Sequence, residues 1–121
     1  GPATMMPIGM EKMGAKVCRN ISEAVYGADI VMGLRLQLER QTKSLFPSVA
    51  EYAKFYSINE QILSLAKPGA LVLHPGPCNH GVEMPSSVYD SSQSAINEQV
   101  ANGVAVRMAV LYLLNVRRNQ E

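Results

Sequence analysis

Two runs of unbroken hydrophobicity do most to limit what this chain can fold into. Residues 29–34 read Asp-Ile-Val-Met-Gly-Leu and residues 70–73 read Ala-Leu-Val-Leu, and neither alternates with polar side chains. Short apolar runs without alternation suit parallel strands covered on both faces. Between them lie a polar stretch, residues 35–43, and two helical patterns. The first is introduced by Phe46, has Pro47 at its first position and runs to about residue 56; the second spans about 58–67. Pro68-Gly69 then turns the chain. A brief strand candidate at 15–18 precedes both runs, and Ser22-Glu23 caps a helix of one or two turns that stops at Gly27. Strand, helix, strand, helix, strand is the order of an open parallel α/β sheet, here of about three strands flanked by helices. Residues 4–13 are expected to form a short helix, with Thr4 as its cap and Gly14 as its stop. Residues 74 to about 90 are expected to form a loop.

The last helix, about 92–116 and capped by Ser91 or Ser92, does not look like the outer layer of a small domain. Across residues 104–114 only Arg107 interrupts an apolar run. A helix apolar on nearly every side must be covered all round or lie in a membrane. Eleven positions broken by an arginine fall short of the roughly 20 residues a bilayer needs. The expectation is therefore packing against protein outside these residues. Arg107 either meets a carboxylate or carbonyl there or carries its charge back to water.

With 121 residues, 47% of them hydrophobic and 17% charged, the chain is one domain's worth of folding polypeptide and not a disordered segment. Eleven basic residues against ten acidic ones give a formal charge of +1, which argues against a dedicated nucleic-acid binder. Cys18 and Cys78 are too few to staple a secreted scaffold and read as free thiols in a reducing compartment. With two aspartates and two histidines, a metal site built by this chain alone is not expected. The opening Gly1-Pro2-Ala3 has no initiator Met and no leader pattern, and reads as a tag scar or as the start of a piece of something longer. Met5, Met6, Met10 and Met13 cluster near it, a pattern that fills cores more often than it lines binding grooves.

In parallel sheets, ligands bind beyond the carboxyl ends of the strands. Two segments leave such ends. Arg35 is the first residue past the second strand, and its planar fork suits a carboxylate or phosphate, or an ion-pair partner. Gln37 projects to the same side if the extended geometry persists, and can both donate and accept; taken alone it reads more readily as a solvated loop amide. After the third strand come His74, Pro75, Gly76 and Pro77. The prolines hold a rigid loop whose carbonyls stay available to an amine or amide, and Gly76 permits close backbone approach. His74 has no Asp, Ser or Cys arranged around it as a triad. The residues alone support a small-anion site at the end of an α/β sheet.

These segments, with two others, also carry a resemblance. Gly1-Pro2-Ala3-Thr4, Arg35-Leu36-Gln37-Leu38-Glu39-Arg40, His74-Pro75-Gly76-Pro77 and Asn102-Gly103-Val104-Ala105-Val106-Arg107 together closely resemble aspartate carbamoyltransferase, in order and over essentially the whole chain. The match is to the C-terminal, aspartate-binding half of its catalytic chain. The resemblance implies that residues 1–121 are an incomplete aspartate-binding domain of the carbamoyltransferase fold. A strand and a helix would precede Gly1, and the final helix would pack on an N-terminal carbamoyl-phosphate domain. It implies transfer of the carbamoyl group of carbamoyl phosphate to the amine of L-aspartate, giving N-carbamoyl-L-aspartate and phosphate in cytoplasmic pyrimidine synthesis. No metal or organic cofactor is implied, nor any nucleic-acid or membrane partner. A homotrimer of catalytic chains is implied, with regulatory or dihydroorotase subunits as further partners in some members.

Residue by residue, the resemblance makes Arg35 the arginine that grips an aspartate carboxylate, with Gln37 beside it. Arg40 becomes a domain-closing ion-pair residue. Pro75, Gly76 and Pro77 become the loop whose main chain holds the carbamoyl group and the attacking amine. It places no catalytic side chain in this chain: the Ser-Thr-Arg-Thr phosphate segment, the catalytic histidine and a second aspartate-binding arginine belong upstream. One departure stands out. Relatives with His-Pro-Gly-Pro usually continue into Asn-Arg-Gly, and here the chain reads Asn79-His80-Gly81, so the arginine's contact is in doubt and pH sensitivity is expected to rise. An ornithine carbamoyltransferase typically shows Ser-Met-Gly at 35–37 and His-Cys-Leu-Pro at 74–77, and Arg35 would repel ornithine's ammonium group. A non-catalytic aspartate-binding or structural module is the other alternative.

Overall fold

The computed structural model describes residues 1–37, 39 and 45–118. Two parallel strands, β1 (Ile30–Met32) and β2 (Leu71–Leu73), pair in the register Ile30 to Leu71, Val31 to Val72 and Met32 to Leu73. Among the described residues five α-helices accompany them: α1 (Ile21–Val25), α2 (Val49–Tyr56), α3 (Glu60–Leu63), α4 (Ser86–Tyr89) and α5 (Ile96–Arg118).

Side chains placed where the backbone leaves N–H groups unpaired begin three of the helices. Asn20 Oδ1 accepts the Ser22 N–H at 2.8 Å, two residues earlier than the expected cap. Ser48 Oγ accepts the Glu51 N–H at 3.0 Å, so Pro47 lies just outside α2 and not at its first position. Asn59 Oδ1 accepts the Ile62 N–H at 2.9 Å. Residues 4–13 form two 3-10 turns, Ala3–Met5 and Met10–Met13, and not one helix. Gly9, at φ +90°, breaks the run between them, and Gly14, at φ +87°, ends it.

The expected first strand, at 15–18, is not paired among the described residues. Only Val17 and Cys18 there are partly buried, and Lys16 is drawn to Glu23 at the surface, with Nζ 2.9 Å from its carboxylate. The outer edge of β2 is met instead by residues 93–95: Val72 donates to the Gln93 carbonyl, and Ala95 donates to the Val72 carbonyl. Within the segment expected to be a loop, residues 74–90, α4 forms behind Pro85 and buries Val88.

Burial corrects a second expectation. One face of the sheet, carrying Val31 and Val72, packs into a core with Val25, Ile58, Leu63, Met84, Val88 and Ile96. The other face is open, with Ile30 54%, Met32 50% and Leu71 46% exposed. The strands are apolar on both sides, yet among the described residues only one side is covered.

The same holds for α5. Ile96 is fully buried at its start, whereas Val106, Met108, Leu111, Leu113 and Leu114 stand exposed further along. Its 23 residues start later than expected, at Ile96, because residues 91–95 form a turn and the bridge to Val72. By length and composition alone the helix could cross a bilayer, a test that the core helix of a soluble protein passes equally. Its polar first turn is tied into the domain, where Gln99 Oε1 accepts the His74 N–H at 2.8 Å.

Candidate functional site

Both segments singled out from sequence leave the carboxyl ends of the paired strands. Arg35 follows β1 by three residues. Its Nη2 is 3.0 Å from Glu39 Oε1, four positions along, and its buried Nε has no hydrogen-bond partner among the described residues. The guanidinium is thus steadied on one side, with a donor left over on another. Gln37 is exposed beside it. Arg40 lies outside the described residues.

Beyond β2, the Gly76 N–H donates to His74 Nδ1 at 3.0 Å, folding the Pro75-Gly76-Pro77 loop back over the strand end. Gly76 has a φ of +69°, a conformation open to glycine, and a Cβ there would sit 3.4 Å from Val100 on α5. Glycine is therefore favoured by the turn, while the helix stands at ordinary contact distance from where a Cβ would lie. Pro75 and Pro77 are exposed at the rim, and the Gly76–Pro77 peptide bond is cis.

The link between the two loops is a residue that the sequence reading passed over. Glu83 is 2% exposed and spends its carboxylate on backbone and amide donors. Oε1 accepts the Leu36 N–H at 2.6 Å and the Asn79 side-chain amide at 2.8 Å; Oε2 accepts the Asn79 N–H at 2.8 Å. Asn79 also donates to the Leu36 carbonyl at 3.2 Å. Leu36 is held at both its backbone N–H and its C=O, and the Arg35 loop is fixed against the segment that follows Pro77. Glu83 is the one acid between Lys67 and Asp90 and lies between Val82 and Met84. An acid in apolar company is the signal that marks a buried carboxylate with dedicated partners.

Electrostatics follow from this burial. Desolvation lowers the His74 pKa below its ordinary 6.5, against the opposing pull of Glu83. Nδ1 accepts from Gly76, so the proton of the neutral ring sits on Nε2, which is buried without a partner. Burial, helped by Glu83, raises the Cys78 thiol to about 11 and keeps it protonated. His80 is exposed: its Nδ1 is 3.3 Å from Ser86 Oγ, and its ring meets Tyr89 edge-on at 4.7 Å. The position where relatives carry arginine is here turned toward α4.

A cleft of about 390 Å³ lies along β1 between Ile21, Val25, Met32, Tyr52 and Tyr56, and Glu83 lines it as well. It is an apolar hollow beside the free strand edge, without the Arg35 fork or the Pro75–Pro77 carbonyls.

Residues 9–114 match the family model described as aspartate/ornithine carbamoyltransferase, Asp/Orn binding domain. The chain belongs to that family. The catalytic subunit of aspartate carbamoyltransferase from Pelotomaculum thermopropionicum is 60% identical over 114 residues, which cover 94% of this chain and 37% of that protein. Among solved structures, ornithine carbamoyltransferase from Thermus thermophilus superposes with a TM-score of 0.75 over 93% of this chain and 37% of its own, at 21% identity, a likeness of fold. Aspartate transcarbamoylase from Trypanosoma cruzi, in complex with carbamoyl aspartate and phosphate, superposes with a TM-score of 0.63 at 26% identity, over 78% of this chain and 28% of that one. The chain thus spans a little over a third of the length of the curated relatives it matches. A carbamoyltransferase Asp/Orn-binding domain accounts for the parallel sheet and the long final helix.

Proposed function

We propose that this chain supplies the amino-acid side of an aspartate carbamoyltransferase site, in an enzyme that moves the carbamoyl group of carbamoyl phosphate onto the amine of L-aspartate. The products are N-carbamoyl-L-aspartate and phosphate, the chemistry of cytoplasmic pyrimidine synthesis. The observation that carries the reading is Arg35 at the end of β1, fixed through Leu36 to Glu83 and keeping a buried donor unpaired.

A carboxylate arriving at Arg35 gains charge-assisted hydrogen bonds from a group already held in place. Gln37 adds a donor and acceptor beside it. The Pro75, Gly76 and Pro77 carbonyls offer acceptors to the attacking amine, orienting its lone pair toward the carbamoyl carbon. Nitrogen attacks that carbon, a tetrahedral intermediate forms, and collapse expels phosphate as the amine loses its proton. This chain's part is positioning, which raises the effective concentration of the two reactants. The charge on the phosphate and on the developing oxyanion falls to groups of an N-terminal carbamoyl-phosphate-binding half. The open sheet face and the apolar length of α5 fit contact with that half, and Arg40 fits an ion pair across the closing domains. A homotrimer of catalytic chains, with regulatory or dihydroorotase subunits in some assemblies, completes the proposal.

The deciding experiment supplies carbamoyl phosphate to the full-length polypeptide with either L-aspartate or L-ornithine. Carbamoyl-aspartate is expected and citrulline is not; equal turnover of the two amines overturns the choice. The 121-residue chain on its own is expected to give neither product.

A further inference from the structure

We infer that His74, Cys78 and Glu83 form a binding site for a borderline-soft divalent cation, Zn²⁺ by the chemistry of the donors, and that filling it releases Gly76. One imidazole nitrogen, one sulfur and one carboxylate oxygen lie within 4.8 Å of one another. Cys78 Sγ is already 3.9 Å from Glu83 Oε2. Around a tetrahedral zinc with ligand distances of about 2.0–2.3 Å, donors sit about 3.3–3.5 Å apart, so closing the site takes shifts of about 1 Å.

A second, independent observation points the same way. His74 is completely buried, and its Nε2 has no hydrogen-bond partner among the described residues. Nearly all buried polar atoms are paired, so an orphan nitrogen on the ring that also meets a thiol and a carboxylate points to a ligand at this cluster. The mixture of nitrogen, sulfur and oxygen is one that zinc accepts, whereas magnesium and calcium demand oxygen alone. A thiolate and a carboxylate balance the two charges of the ion. Cys78 is only partly buried, which leaves a route in.

On binding, the Cys78 S–H bond breaks, its proton passes to solvent and the sulfur electron pair forms the bond to the metal. The effect on Gly76 follows from the tautomer of His74. The Gly76 N–H donates to Nδ1 at 3.0 Å, which requires a bare Nδ1. If Nδ1 coordinates, its lone pair goes to the ion; if Nε2 coordinates, the ring proton moves to Nδ1. Either way Gly76 loses its acceptor, and the centre of the Pro75-Gly76-Pro77 loop is no longer held to the strand end. Zn²⁺ is then an inhibitor of what that loop does. This last step rests on the carbamoyltransferase reading; binding and release do not.

The test titrates the metal-stripped full-length polypeptide with Co²⁺ and then Zn²⁺. A thiolate-to-cobalt charge-transfer band is expected, bleached by Zn²⁺, retained in Cys18→Ser and absent in Cys78→Ser. Zn²⁺ affinity should fall at least about tenfold in Cys78→Ser, since losing even an outer-shell partner costs that much. Amide exchange of the peptide containing Gly76 should quicken with Zn²⁺ in the unmodified protein and stay unchanged in Cys78→Ser. A wild-type protein with no such band, or Zn²⁺ affinity equal in Cys78→Ser, overturns the site. Cys78-dependent binding with unaltered exchange at Gly76 overturns the release. If binding and release both hold but turnover is indifferent to Zn²⁺, the role given to the loop fails and the site stands.

Discussion

Glu83 reaches from the segment after β2 to the segment after β1 and takes the Leu36 N–H at 2.6 Å, so one buried carboxylate sets the spacing between two loops that share no hydrogen-bonded strand. Glu83→Gln keeps the shape but turns one of the two acceptor oxygens into a donor, which then faces an N–H of Leu36 or Asn79. Leaving a buried donor without an acceptor costs about 1–3 kcal/mol. The urea midpoint of the full-length polypeptide is expected to fall accordingly, with KM for aspartate rising because the Arg35 loop loses its anchor. An unchanged midpoint and KM together would remove Glu83 from this role.

Arg35→Ala should weaken aspartate use by about two orders of magnitude, the loss expected when charge-assisted hydrogen bonds worth about 1.5–3 kcal/mol are deleted. Carbamoyl phosphate binding, measured by calorimetry without aspartate, should be spared. Arg35→Lys is expected to restore only part of the loss, since a single ammonium cannot reproduce the fork that Glu39 steadies at 3.0 Å. Wild-type aspartate affinity in Arg35→Ala would show that the carboxylate is held elsewhere.

Sequence pattern located the strand-end candidates better than their supports. Arg35 and the His74-Pro75-Gly76-Pro77 turn were legible because they sit where apolar runs stop, a position that topology alone makes informative. Glu83, Asn79 and Gln99 were not. Each acts on backbone groups of residues 25 to 47 positions away, and no local periodicity encodes such a partner. The expected first strand failed for a related reason: residues 15–18 have the propensity to extend, but Lys16 pairs with Glu23 at the surface and only Val17 and Cys18 are partly buried, so the segment has no buried face to seat it on the sheet. Apolarity on both strand faces and all round α5 reads as a demand for cover. The chain leaves that demand unmet on Ile30, Met32, Leu71 and the outer length of α5.

Stability should depend on pH through His74. Its folded pKa lies below the ordinary 6.5 because burial disfavours the charged ring. The unfolded chain therefore takes up the proton first as pH falls, and linkage draws the equilibrium toward the unfolded state. This contribution is fully present above about pH 6.5 and is lost progressively between that pH and the lowered folded value. Denaturant midpoints measured with a chelator present should drop from pH 7.5 to 5.5, and the drop should shrink in His74→Gln. A midpoint that rises over this interval would mean the folded protein prefers the charged ring.

The exposed length of α5 gives the sharpest check on the missing cover. Leu111 is 68% exposed here, so Leu111→Glu should cost this chain almost nothing by itself. If α5 is buried against the N-terminal half, the same change in the full-length polypeptide forfeits a buried leucine, about 1.5–3 kcal/mol, and places a carboxylate in an apolar contact as well. Thermal unfolding of the full-length protein should then begin at a clearly lower temperature, with loss of turnover accompanying it. A full-length Leu111→Glu protein as stable and as active as its parent would mean that this face of α5 meets water, and the domain arrangement proposed for the enzyme would have to place its N-terminal half elsewhere.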